Sequence, residues 1–353
     1  MTAMNNHTED IKLSICIPTY NRACFLEEAL ESVVSQAVDG VEIVVVDGAS
    51  PDHTPDVIQK YQKRFKNLVY HRNEKNMGVD RDMARSVELA RGDYCWLLSD
   101  DDALKPEALG RILEEIKSGY EIYLCNVTAC DLTMKPLRDR SWLSSKIKDK
   151  VFYLHEKRDL IEYCNNANSI GAFFSYMSSI ILSCKEWKKA GYNDDFDGSA
   201  YAMASTLFAF IKKRCRLKYV RNPLIFWRND NESFQFKGGP VKRFLLDFDG
   251  YARLANEYLP EDQKVRQSFL RVMRREHPWY TIIHVSSFID DRNTWRNFRE
   301  KLLMFGYGKR MTALCYALGR HKKLVYFCVR IKRRILKSYF LNGFIRFLQR
   351  IRR

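Results

Sequence analysis

Two kinds of hydrophobic run alternate along the first hundred residues. Residues 12–21, "KLSICIPTYN", are largely apolar up to Pro18 and then polar, which predicts a short buried strand followed directly by a loop. In residues 24–37, "CFLEEALESVVSQA", Phe25, Ala29, Val33 and Ala37 recur at helical spacing, so a helix is expected. Residues 41–50, "VEIVVVDGAS", form a β-branched run stopped by Asp47 and Gly48. Its unbroken apolar stretch fits a parallel strand buried on both faces, and a strand, helix, strand order completes such a unit. The pattern repeats with a helix in 52–65, a strand in 68–73, a helix in 78–92 and a strand in 93–102, "DYCWLLSDDD".

Further along, 106–119 read as a helix and 120–129 as a strand, and the hydrophilic 135–150 as an exposed loop or excursion. Residues 178–213 read as a strand, a short helix, an acidic turn and a longer apolar helix, and 217–233 as two short extended pieces around Asn222-Pro223. This divides the chain into an α/β domain over 1–235, with halves at 11–110 and 111–235, and a mostly helical region over 236–353. In open α/β sheets ligands lie beyond the carboxyl ends of the strands. Thr19, Asn21, Asp47 and Asp100 to Asp102 all fall there.

Composition narrows the class. Of 353 residues, 46% are hydrophobic, with 21 Phe, 19 Tyr and 6 Trp, which excludes a disordered chain. The ten cysteines are scattered without a C-x-x-C pair, so reduced thiols in a cytoplasm are expected, with neither a disulfide framework nor structural zinc. The opening "MTAMNNHTED" lacks the order of a signal peptide, and no run of about 18 apolar residues is present to span a bilayer.

The net charge of +16 is unevenly held. Residues 301–353 carry 15 Lys and Arg and no acid, which leaves 44 basic against 43 acidic residues in the rest. If helical, the tail separates Leu324, Cys328, Ile331 and Ile335, and later Phe344, Leu348 and Ile351, from Arg346, Arg350 and Arg353. Basic amphipathic helices of this kind lie at anionic membrane surfaces. Nucleic acid is not expected as a partner, because no nucleic-acid-binding module accompanies the basic tail.

Four stretches in series carry chemistry: "ICIPTYNR" (15–22), "IVVVDGASPDHT" (43–54), "NEKNMGVDRDMARSVELARGDY" (73–94) and "LLSDDDALKP" (97–106). Their order and spacing resemble the donor half of family 2 glycosyltransferases, which have the GT-A fold, a Rossmann-like nucleotide-diphospho-sugar transferase architecture. The form "NMGVDRDM…ARGDYCWLLSDDD" looks most like a subgroup that includes abequosyltransferases and similar enzymes of bacterial O-antigen and surface-polysaccharide assembly.

The resemblance implies a nucleotide-diphosphate sugar, on CDP, UDP, GDP or dTDP, and a lipid-linked oligosaccharide acceptor. Together with the scattered cysteines, the lack of a signal-peptide pattern and the basic amphipathic tail, a cytoplasmic enzyme, peripheral on the inner face of the plasma membrane, is expected. Pro18, Thr19, Tyr20, Arg22 and Asp47 would line the nucleotide site, with Asp52 closing the same loop. Asp100, Asp101 and Asp102 would hold Mn2+ or Mg2+ against the pyrophosphate, Asp102 with Asp101 or Asp100, and the remaining carboxylate would meet a ribose hydroxyl.

Departures from the family pattern shape the other expectations. Ser99 stands in the first acidic position, and Met83 and Ala84 stand where relatives carry Arg-Asn, so Asp80 and Arg81 become candidates for the nucleotide sugar. No Glu-Asp pair follows the "AGYNDDF" turn, which leaves Asp194, Asp195 and Asp197 as substitutes for the catalytic base. Arg228 in "FWRNDNESF" could contact phosphate, Trp227 could cover the site, and "FKGGP" could act as a hinge.

Two alternatives stand beside this reading. A nucleotidyltransferase would carry a glycine-rich phosphate loop after the first strand, and "PTYNRACF" supplies no glycine. A non-enzymatic membrane-binding scaffold would be indifferent to loss of Asp101 and Asp102.

Overall fold

The structure is a computed structural model, and it describes residues 10–229, 231, 239–259, 261–323 and 325–327. The expected parallel units are present as β1 (Leu13–Thr19), α1 (Ala23–Val34), β2 (Val41–Asp47), α2 (Thr54–Gln62), β3 (Leu68–Arg72), α3 (Val79–Leu89) and β4 (Tyr94–Leu97). Every residue of β1 and β2 is buried, as their lack of alternation requires. Register aligns the strand ends: Thr19 lies opposite Asp47, and Asp47 opposite Arg72. The loops after these strands therefore open on one edge of the sheet.

The second half adds β5 (Ala103–Leu104), α4 (Ala108–Ile116), β6 (Ile122–Cys130), β7 (Pro136–Arg140), β8 (Lys150–Tyr153), α5 (Lys157–Asn166), β9 (Ile180–Ser183), α6 (Cys184–Ala190), α7 (Ala202–Lys213) and β10 (Arg216–Arg228). The sheet runs β3-β2-β1-β4-β9-β6-β10-β5, with β7 on β6 and β8 on β10. β9 is antiparallel to both β4 and β6, so the sheet is mixed.

Three expectations are refined. The hydrophilic 135–150 stretch does begin as an exposed strand, but Trp142 and Leu143 after it are buried, the Trp142 indole donating to the Cys125 carbonyl at 2.8 Å. The two pieces around Pro223 are one strand, β10, whose register against β6 shifts at Pro223 because proline has no amide to donate to the ladder. The expectation of thiols alone is corrected: Cys95 and Cys184 are joined in a disulfide, with Cα atoms 5.9 Å apart. Spacing along the chain could not reveal this pair, since 89 residues separate them and only the antiparallel β4–β9 pairing makes them neighbours.

The chain divides into a unit of Met1–Gln235 with Gly250–Val272 and a unit of Phe236–Asp249 with Met273–Arg353. Its C-terminal elements are α8 (Gly239–Tyr258), α9 (Gln263–Glu276), α10 (Trp279–Ser286), α11 (Arg292–Met304) and α12 (Lys309–Gly319). In the second unit Phe244 stacks on Phe248, Phe298 is tilted against Phe244, Phe305 meets Phe248 edge to face, and Trp295 stacks on Tyr316. Among the described residues no helix is long and apolar enough to cross a membrane. The amphipathic tail read from Leu324 onwards, apart from residues 325–327, and the "FKGGP" hinge up to its last two residues, lie outside the described residues.

Candidate active site

The loop after β1 begins at Thr19 and Tyr20, passes through Asn21 in the left-handed region (φ 56°), and delivers Arg22 at the start of α1. Asparagine tolerates that conformation better than most residues. The loop is stitched to the one after β2: Asn21 N donates to Ser50 Oγ at 2.9 Å, and Ala23 N to Asp52 Oδ2 at 2.9 Å. Asp52 thereby caps α1 from another segment. Gly48 is required by close approach, since a Cβ there would stand 2.6 Å from Asp82 Oδ2.

Asp47 is fully buried and already engaged. Its oxygens accept from Ser50 N at 2.7 Å, Tyr70 Oη at 2.7 Å and Arg72 Nη1 at 3.1 Å. Tyr20 is 43% exposed beside Gly48, which leaves its ring open to solvent. Asp82, on the buried face of α3 with Met83 and Ala84, accepts from Asn73 Nδ2 at 2.6 Å. Burial pushes its carboxyl up to about 6, against the Asn73 hydrogen bond.

The three aspartates after β4 are all buried, yet they have different surroundings. Asp100 accepts from Thr19 Oγ1 at 2.8 Å and faces Arg22 Nε at 3.5 Å. Asp101 meets Arg22 Nη2 at 2.6 Å, Asn231 Nδ2 at 2.9 Å and Ser99 Oγ at 2.6 Å. Asp102 accepts from Tyr176 Oη, from Ser178 Oγ at 2.5 Å and from Arg228 N at 3.1 Å. Burial first, and then the charge of Asp101, pushes Asp102 up to about 7; burial does the same to Asp100, opposed by Arg22.

Arg228 is buried rather than open to solvent. Its guanidinium pairs with Glu28, donates to the carbonyls of Leu132 and Asp101, and lies 4.9 Å from the Phe25 ring. Arg22 lies 5.2 Å from the same ring. Trp227 packs 5.4 Å from Tyr176, with the Arg140 guanidinium 4.9 Å from its ring.

A second cluster gathers the remaining candidates. Arg81 Nε meets Asp197 Oδ2 at 2.5 Å and Arg81 Nη1 meets Asp194 Oδ1 at 3.0 Å, while Asp80 accepts from Gly198 N at 3.0 Å. Asp197 also accepts from Tyr192. The Asp195 side chain is 82% exposed, with Arg253 at 4.0 Å as its loose partner. This acidic turn borders a groove of about 470 Å³ lined by Tyr192, Asp194, Asp195, Thr206, Lys213 and Tyr258, among others. The structure thus gathers Thr19 and Arg22 with Asp100 to Asp102, and Asp80 and Arg81 with the acidic turn.

Sequence reasoning missed Tyr176 and Ser178, which hold Asp102, and Glu28 and Asn231, which meet Arg228 and Asp101. No local signal marks them. Tyr176 and Ser178 reach Asp102 across 74 and 76 residues, while Glu28 and Asn231 stand close in sequence to Arg22 and Arg228 but meet their partners only through the fold.

Hard carboxylate oxygens suit Mg2+ or Mn2+. Three buried carboxylates, Asp100 to Asp102, lie beside the single guanidinium of Arg22, while Glu28, whose side chain is 55% exposed, is paired with Arg228, which leaves negative charge on the trio for a cation to neutralise. Among the described residues no three acidic, imidazole or thiol groups converge as a complete ligand set. Such ions are commonly held by one or two carboxylates together with substrate phosphates, so the donor set fits that mode.

Comparison with known proteins agrees with this geometry. The description "Glycosyl transferase family 2" matches residues 14–182. The abequosyltransferase RfbV of Salmonella typhimurium is 34% identical over 87% of this chain and 93% of its own length. A GalNAc(5)-diNAcBac-PP-undecaprenol beta-1,3-glucosyltransferase of Campylobacter jejuni is 29% identical over 69% of this chain and 73% of its own. Among solved structures, residues 1–349 of S. aureus TarS in complex with UDP-GlcNAc superpose with a TM-score of 0.62 at 15% identity, covering 94% of this chain and 92% of that one. The fold is therefore the Rossmann-like GT-A fold with a helical C-terminal region, and the chain belongs to glycosyl transferase family 2.

Proposed function

We propose that this glycosyltransferase moves a dideoxyhexose such as abequose from a nucleoside diphosphate to a lipid-linked bacterial O-antigen or surface-polysaccharide acceptor. Likeness to an abequosyltransferase over nearly its full length supports the sugar, and likeness to an enzyme named for an undecaprenol-linked glycan supports the acceptor. The observation that carries the reading is the acidic trio at the end of β4, buried against the loop that bears Thr19 and Arg22.

In this reading Pro18, Thr19, Tyr20 and Asp47 shape the nucleoside side, the exposed Tyr20 ring offering a stacking face and Asp47 bracing the loop through Ser50. Asp100 and Asp101 would hold the cation together with the pyrophosphate. Asp102, the most deeply buried of the three and tied to Tyr176, Ser178 and the Arg228 amide, shapes their loop. When bound, the cation neutralises charge developing on the departing nucleoside diphosphate. Arg228 keeps the loop in place through the Asp101 carbonyl.

The acceptor side is the groove beside the acidic turn. Asp195, least committed of the three turn carboxylates, takes the proton of the acceptor hydroxyl. Arg81 and Asp80 hold Asp194, Asp197 and Gly198 in position around it. The basic C-terminal residues hold the enzyme at the inner membrane face, beside its lipid-linked substrate.

A thermal-shift screen of CDP-, UDP-, GDP- and dTDP-sugars with and without Mn2+, followed by a transfer assay on the stabilising nucleotide, tests this. One nucleotide should stabilise only when metal is present, and Asp101→Asn should abolish both the shift and transfer. Asp195→Asn should abolish transfer while leaving the shift. Equal response to all four nucleotides, or to none, refutes the assignment.

A further inference from the structure

The two arginines beside the acidic trio are held in different ways. Arg228 is 2% exposed and fixed on several sides, by Glu28, by two backbone carbonyls and by the Phe25 ring. Its charge cannot leave without unmaking all of them. Arg22 is 14% exposed, stands at the free end of the loop after β1, and owes its position to Asp100, Asp101, the Phe25 ring and a long contact of 3.4 Å to the Asn231 carbonyl. Its guanidinium spans two successive carboxylates, with Nε 3.5 Å from Asp100 Oδ1 and Nη2 2.6 Å from Asp101 Oδ2.

A small divalent ion binds carboxylate oxygen at about 2.1 Å. An ion shared by Asp100 and Asp101 would take Asp101 Oδ2 from Arg22 and Asn231, or Oδ1 from Ser99 Oγ, and in either case would stand within a few ångströms of the Arg22 guanidinium. Like charges at that distance in a buried site repel strongly.

We infer that Arg22 is an exchangeable internal cation: it neutralises Asp100 and Asp101 in the free enzyme, and the divalent ion and Arg22 compete for the same carboxylate pair. The inference rests on the metal reading of the proposed function. When the ion arrives with the nucleoside diphosphate, Arg22 is released toward the phosphate oxygens, where its fork of donors suits a bidentate contact. The net charge of the site is then the same in both states, because the ion and the diphosphate arrive together with opposite charges. Arg22 also makes the enzyme a poor ligand for the ion alone and a good one once phosphates are present, a coupling that must be reciprocal between ion and nucleotide.

The test compares Mn2+ binding, without any nucleotide, to wild type, Arg22→Met and Arg22→Lys by titration calorimetry and by the spin-resonance signal of free Mn2+. Removing the competing charge should tighten Mn2+ binding to Arg22→Met by about tenfold or more, which corresponds to about 1.4 kcal/mol. Arg22→Lys keeps a positive charge and should stay within about threefold of wild type, a difference of less than 0.7 kcal/mol or so. Because Arg22→Met leaves two buried carboxylates without their cation, its melting temperature is read as well. It should fall below wild type in EDTA and rise on Mn2+ addition by more than wild type does.

Mn2+ affinity of Arg22→Met equal to or below that of wild type, with no larger rise in melting temperature, overturns the inference. Failure of the proposed function looks different. If no nucleotide sugar stabilises the wild type while Arg22→Met binds Mn2+ more tightly, the substrate assignment falls and the competition stands.

Discussion

Replacing Ser178 by alanine removes one hydroxyl that two buried groups share. Ser178 Oγ accepts from Ser99 N at 2.9 Å and donates to Asp102 Oδ2 at 2.5 Å, so it ties the strand end before the acidic trio to the carboxylate at its far side. Loss of a hydrogen bond to a charged group costs about 1.5–3 kcal/mol, and a buried amide left without a partner adds about 1–3 kcal/mol. A total of about 3–5 kcal/mol is expected, because a cavity one hydroxyl in size is too small to admit a compensating water. Tyr176→Phe strips only one hydrogen bond from the same Asp102 oxygen and strands no amide, so about 1.5–3 kcal/mol is expected. The double variant should lose less than the sum, since both hydroxyls act on one oxygen.

Urea unfolding at pH 8 in EDTA, with the slope checked for constancy, measures all three. Both hydroxyls favour the ionised form of Asp102, whose carboxyl is pushed up to about 7. Their contribution is therefore full only above the still higher value the carboxyl would have without them, and it shrinks as pH falls toward and through about 7. A cost below about 1 kcal/mol for Ser178→Ala would fall under the hydrogen-bond range and refute the reasoning. So would a Tyr176→Phe variant that loses more than Ser178→Ala.

Two further outcomes follow from local features. Asp82 has its carboxyl raised to about 6 by burial, so the fold favours its protonated form; that stability is present below the ordinary carboxylate range and lost as pH rises through about 6. Asp82→Asn keeps a partner for Asn73 and should gain about 2–3 kcal/mol at pH 8 and little at pH 4, read from unfolding midpoints at the two pH values. Ala49 sits in the left-handed region at φ 66°, where a Cβ costs roughly 1–2 kcal/mol. Ala49→Gly should stabilise by about 1 kcal/mol after its extra unfolded-state entropy is subtracted, which differential scanning calorimetry can check.

The elements up to β4 were legible because parallel strands buried on both faces leave long apolar runs and amphipathic helices leave a 3.6-residue period. The acidic trio was legible for a different reason, since such a density of carboxylates beside an apolar strand is costly without a cationic partner, and the loop after β1 was legible through its place in the four-stretch series that resembles family 2 glycosyltransferases. Arg22 and Arg228 are both conspicuous in sequence, yet nothing local distinguishes them. Glu28, two carbonyls and the Phe25 ring make one a fixed counter-ion, while the other stays at a loop end.

What the amino-acid sequence determined by itself is therefore the periodic part of the protein: the alternating strands and helices, the strand-end position of Asp47 and Asp100 to Asp102, and the basic C-terminal bias. These follow from forces acting over a few residues, namely burial, backbone propensity and like-charge repulsion. Only the tertiary structure decided the partners. Antiparallel β9 brings Cys184 beside Cys95 and sets Tyr176 and Ser178 on Asp102, and β10 carries Arg228 back to α1, across 89, 74, 76 and 200 residues of chain. Hydrogen bonds and ion pairs between such distant residues depend on strand order and register, which leave no periodic trace in the sequence around either partner.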